Sequence, residues 1–160
     1  MQYILEYNKF NQKTILYLHG LDAQKDHKIE IQEKYKKIVN DLGFNYVSIM
    51  VDYKKDNVWD IISKINIDGV IGHSLGGYMA YQLSNFIKIP SLLLMPSFDK
   101  NDIKLQSIPS NVKNTSFFKK KIALIGGRDK EVDLTLQEKN LKDCKIYYEN
   151  IEHDLSEKYL

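Results

Sequence analysis

The sequence predicts an α/β fold, a three-layer sandwich in which a mostly parallel sheet of six or seven strands lies between helices. Three observations predict it. Apolar runs of strand length alternate with segments of helical periodicity along most of the chain. Several runs, notably Ile15-Leu16-Tyr17-Leu18 and Leu92-Leu93-Leu94-Met95, are apolar at every position, as strands covered on both faces must be. A length of 160 residues with 43% hydrophobic and 28% charged residues suits one continuous core, so residues 1–160 are expected to form a single domain. The same balance excludes a disordered, collagen-like or coiled-coil chain.

Strands are expected at 2–7 and 14–19. Ile31, Tyr35, Ile38, Val39 and Leu42 then recur at helical spacing, and Gly43 stands where a C-terminal cap glycine belongs. After a strand at 46–51, Val58, Ile61, Ile62 and Ile65 mark a second helix, with Asp56 or Asn57 as its N-cap. A strand at 69–73 runs directly into a third stripe, Met79, Leu83, Phe86 and Ile87. Strands at 91–95, 121–125 and 145–149 complete the sheet. Between the first two of these, residues 96–120 carry Pro109, several Ser and Asn and no period, and a long surface excursion is expected there.

Composition narrows the function. The 23 basic residues against 21 acidic ones leave a formal +2, spread along the chain, so no nucleic-acid partner is expected. Lys36-Lys37, Lys54-Lys55 and Lys119-Lys120-Lys121 read as solvated helix faces and loop ends. A lone cysteine, Cys144, has no partner for a disulfide or a zinc site and reads as a packing residue in a reducing compartment. The four histidines are scattered, with no cysteine pair, so no metal site is expected. The first ten residues are interrupted by Gln2, Glu6, Asn8 and Lys9, unlike a signal peptide, and no apolar run reaches 18 residues. A cytoplasmic location away from membranes is therefore expected.

The segment Gly72-His73-Ser74-Leu75-Gly76-Gly77 carries the chemistry. It follows an expected strand and precedes an expected helix, the context in which G-x-S-x-G places a serine at a sharp, strained turn. Phosphate and dinucleotide loops space their glycines differently. A second segment, Leu18-His19-Gly20-Leu21, ends an earlier buried strand. A tetrahedral oxyanion needs two converging donors, and the N–H groups of Leu75 and Leu21 are the candidates.

A serine hydroxyl also needs a base oriented by an acid, in the order Ser, acid, His. His153 follows the last strand at the sheet end that carries Ser74 and is the expected base; His19, His27 and His73 read as structural or solvated. Asp129, after the strand and turn Ile122-Ala123-Leu124-Ile125-Gly126-Gly127-Arg128, is the expected acid, with Asp133, Asp99 and Asp102 as competitors.

Together these motifs resemble the α/β-hydrolases, and within them the small single-domain bacterial serine esterases without a cap. The resemblance spans residues 14–155. It implies a serine hydrolase acting on a small ester or thioester through Ser74, His153 and Asp129, with no cofactor. It fixes the chemistry rather than the substrate, and a site left shallow by the missing cap is expected, partly walled by the 96–120 segment, whose Phe98, Phe117 and Phe118 read equally as pocket residues or as core anchors for the loop. Two alternatives share the fold: a partner-binding module without useful turnover, and an acyltransferase delivering the acyl group to an acceptor other than water.

Overall fold

A computed structural model describes residues 3–6, 13–21, 26–53, 55–98 and 120–152. Its seven strands are β1 (Tyr3–Glu6), β2 (Thr14–Leu18), β3 (Asn45–Ile49), β4 (Gly69–His73), β5 (Ser91–Leu94), β6 (Lys121–Gly126) and β7 (Lys145–Glu149). They pair in the order β1-β3-β2-β4-β5-β6-β7, with β1 antiparallel at one edge and the rest parallel. Each expected strand is present, within two residues at either end.

Alternate residues along the strands face opposite layers. On one face Leu16, Leu18, Val47, Val70, Leu93, Ala123 and Ile125 pack under α2 (Val58–Ile62), α3 (Leu75–Ile87) and the buried end of α4 (Leu134–Asn140). On the other, Tyr17, Tyr46, Leu94 and the partly covered Ile15, Ile71 and Leu92 meet Tyr35 and Val39 of α1 (Asp26–Asp41). Every central strand is thus apolar on both sides, which is why these runs do not alternate in sequence.

Helix ends follow their side chains. Asn57 rather than Asp56 caps α2, its Oδ1 accepting the Trp59 and Asp60 N–H groups at 3.1 and 3.4 Å. Gly43 ends α1 at φ 83, and its N–H donates to Asn40 O. Helix α2 stops at Ile62, short of the expected Ile65. Helix α4 was not expected: its seven residues bury only Gln137 and so leave no apolar stripe to read.

One sequence expectation is overturned. Lys121 is not solvated: it is 1% exposed, and its ammonium contacts Asp143 and Asn85, each at 2.6 Å, and lies 5.3 Å from the Tyr81 ring. Position 121 opens a central strand, so its side chain enters the layer under α3, where a cation is tolerated only with partners. Tyr81 Oη donates to the same carboxylate at 3.0 Å. Burial, together with the Asp143 charge, pushes the neighbouring Cys144 thiol up to about 12, which keeps it protonated and suits packing rather than reactivity.

Removing only the cation would strand a buried carboxylate. Lys121→Met is expected to cost about 3–5 kcal/mol in denaturant unfolding, and adding Asp143→Leu to recover most of it. A single variant as stable as the wild type would show that the pair is not buried in solution.

Candidate active site

The carboxyl ends of β2, β4, β5, β6 and β7 all open on one edge of the sheet. Chain order reverses between β2 and β4, because β3 lies on one side of β2 and β4 on the other. A crevice beyond the strand ends at such a point is where open α/β sheets bind ligands. Gly20 follows β2 and Ser74 follows β4, so both lie at this point of the sheet.

Strand β4 hands over to α3 through one residue, Ser74, at φ 53 and ψ −119. A serine held there stores strain of about 1–3 kcal/mol, which the surroundings must impose. They do so from three sides. Ser74 N–H donates to Leu94 O at 2.9 Å, Ser97 N–H donates to Ser74 O at 2.9 Å, and Tyr78 N–H reaches the same carbonyl at 3.2 Å. Serine is among the best helix caps, yet the Ser74 side chain makes no capping hydrogen bond to α3. The first-turn N–H groups, that of Leu75 among them, have no partner inside the helix.

Close approach dictates the glycines. A Cβ on Gly76 would lie 2.1 Å from Leu18 O and 2.4 Å from His19 O, so the first turn of α3 rests directly on the end of β2. A Cβ on Gly72 would lie 2.2 Å from Gly76 O. Gly20 faces Ser74 itself, its missing Cβ 3.0 Å from Ser74 Cβ. Leu21, the next residue, is 44% exposed at the rim, whereas Leu75 is buried.

Asp129 ends the turn after β6 and is 8% exposed. Its Oδ1 accepts the Glu131 and Val132 N–H groups at 2.9 and 3.2 Å, which fixes the plane of the carboxylate. Asp133 is spent otherwise, capping α4 by accepting the Leu136 N–H at 3.1 Å. Asp99, Asp102, Phe117, Phe118 and His153 lie outside the described residues, as does the side chain of His27. The chain just before His153 is nonetheless pinned to the acid turn. Arg128 N–H donates to Ile151 O at 3.0 Å, and a Cβ on Gly126 would meet Ile151 O at 2.7 Å, Glu152 O at 3.2 Å and Asp129 Cβ at 3.5 Å. Ser74, Leu21, Leu75 and Asp129 therefore share one edge of the sheet, and the backbone leading to His153 arrives beside Asp129.

Sequence reasoning missed the segment that straps the turn. Met95 is wholly buried at φ 41, and Pro96 packs against Gly77. Gln137 of α4, with no exposed surface, donates from Nε2 to Pro96 O at 3.0 Å. Phe98 sits edge-on to Tyr78 and Tyr81, in the core. Only the step from an apolar strand to proline at Met95-Pro96 could have hinted at it.

A family model described as an uncharacterised protein family, UPF0227, matches residues 14–153. The chain belongs to this family. No curated protein matches it. Among solved structures the UPF0227 chain is similar to XC6422 from Xanthomonas campestris, described as an α/β serine hydrolase without lid (12% identity, TM-score 0.65, 94% of this chain and 78% of that one). It is similar also to the esterase domain of a Rhodothermus marinus protein (12%, TM-score 0.67, 97% and 84%) and to Est1E from Butyrivibrio proteoclasticus (16%, TM-score 0.56, 91% and 81%). At such identities the likeness establishes the fold: this UPF0227 protein has the α/β-hydrolase fold expected from its motifs. Among the described residues no helix is long and apolar enough to cross a membrane, and no group of three His, Cys, Asp or Glu could hold a metal ion.

Proposed function

We propose that the protein is a serine hydrolase that cleaves a small carboxylic ester or thioester. The observation that carries this reading is Ser74. A residue of a favoured capping type sits at a helix start in a strained conformation, its backbone fixed by three hydrogen bonds and its side chain not used as a cap. Elementary packing gives no reason to keep such a residue there; nucleophilic attack does.

In this mechanism His153 takes the proton as Ser74 Oγ attacks the carbonyl carbon, and Asp129 orients and stabilises the imidazolium. The N–H groups of Leu21 and Leu75 hold the oxyanion. The leaving alcohol or thiol departs with the proton from His153, and water, deprotonated by the same histidine, releases the acid. Support for His153 is the anchoring of residues 151 and 152 against the Asp129 turn. The known structures of similar fold that are described as esterases or a serine hydrolase support the reaction class.

Intact-mass spectrometry after exposure to a fluorophosphonate tests it. A single adduct is expected on the wild type and none on Ser74→Ala, which should also lose turnover of an activated short-chain ester. An adduct retained by the variant would remove Ser74 from this role, and an unlabelled wild type without turnover would refute the hydrolase reading.

A further inference from the structure

The loop after β2 contains a buried histidine that the mechanism above does not use. His19 is 4% exposed, and both ring nitrogens meet backbone groups. Val51 N–H donates to Nε2 at 2.9 Å, so the ring proton sits on Nδ1, which lies 2.5 Å from Gly20 O and donates to it. Tyr53 lies edge-on to the ring, and its Oη donates to His19 O at 2.6 Å. Burial, with Tyr17 adding to it, pushes the Tyr53 phenol up, so it remains a donor.

Gly20 O and Leu21 N–H belong to one peptide unit, and a trans peptide points its carbonyl and its N–H in opposite directions. A donor that holds the carbonyl therefore aims the N–H. Gly20 supplies no side chain to restrain that plane, and it faces Ser74 at close contact.

We infer that His19 is a positioning residue: by donating from Nδ1 to Gly20 O, it locks the Gly20–Leu21 peptide with its N–H turned to the crevice as an oxyanion donor. Val51 selects the tautomer that can do this. The inference rests on the hydrolase reading above and names the residue that prepares one of its two oxyanion donors.

Two substitutions separate aiming from packing. His19→Asn places an amide nitrogen where Nδ1 was and keeps the donation to Gly20. His19→Gln reaches the Nε2 position and keeps only the link to Val51. The expected result is that His19→Asn retains kcat within a few-fold, while His19→Gln loses roughly 10–100-fold in kcat with little change in KM, less than deleting an oxyanion donor outright. A role in packing alone predicts the reverse order, since asparagine is the smaller side chain. Thermal melting of both variants confirms that folded proteins are being compared.

Long-range 1H–15N NMR of the wild-type ring should show a neutral imidazole protonated on Nδ1, and it decides the matter if neither variant folds. An Nε2-protonated ring, or equal kcat in the two variants, would overturn the inference while a Ser74 adduct on the wild type left the hydrolase reading intact. A wild type with neither adduct nor turnover would bring down both.

Discussion

Gly76→Ala is expected to destabilise the protein by several kcal/mol and to abolish fluorophosphonate labelling, although helix propensity by itself favours alanine over glycine by about 1 kcal/mol. The two effects have opposite signs, and contact distance decides between them. The new methyl would sit 2.1 Å from Leu18 O and 2.4 Å from His19 O. Neither carbonyl can retreat, because Leu18 lies in a strand paired on both sides and His19 O accepts from Tyr53. Overpacking of this kind costs about 3 kcal/mol or more, a large share of the roughly 5–15 kcal/mol that holds a domain together. For a chain of this size it lowers the melting temperature by about 6–12 °C. Calorimetry gives the answer directly. A variant as stable as the wild type would mean that α3 does not rest on β2 as described.

Asp129→Asn is expected to do the opposite: to leave the fold in place and lower kcat by about 10⁴. Asparagine keeps an Oδ1 to accept the Glu131 and Val132 N–H groups, so the turn survives. It loses the charge that stabilises a protonated histidine, and its amide favours the wrong tautomer. Asp133→Asn provides the contrast. That side chain caps α4, a task asparagine performs equally well, so melting temperature and turnover should both stay near wild type. If the Asp133 variant were the inactive one, the acid of the mechanism would have to move there.

The strands and α3 were legible because their signal is carried by side chains at regular spacing. The turn at Ser74 was legible for a related reason, since close backbone approach leaves glycine as the only residue that fits at 72 and 76. What escaped notice is held by backbone groups distant in sequence. The positive φ at Met95 uses no glycine, the Gln137 link ends on a carbonyl, and His19 is bound by an N–H from Val51. Contacts to main chain impose no pattern on the residues that supply them. Lys121 was misread for a different reason: its two lysine neighbours in sequence suggest water, whereas its partners, Asn85 and Asp143, come from elsewhere in the chain. Of the proposed site, the types and order of the key residues could be read from the sequence; the means of holding them in place could not.

The strand order also bears on how the molecule comes into being. No two paired strands are joined by a tight hairpin; even β1, the antiparallel edge, pairs with β3 across the whole of β2 and α1. Such a sheet has no short-range contact from which to start, and its loop-closure entropy is spent before the pairings that repay it are made. The Ser74 turn draws on β2, β4, β5 and, through Gln137, α4, so only a fragment running from β2 to α4, most of the chain, contains it. Reactivity at Ser74 would then emerge only late in refolding, and a serine-directed probe would serve as a clock for completion of the sheet.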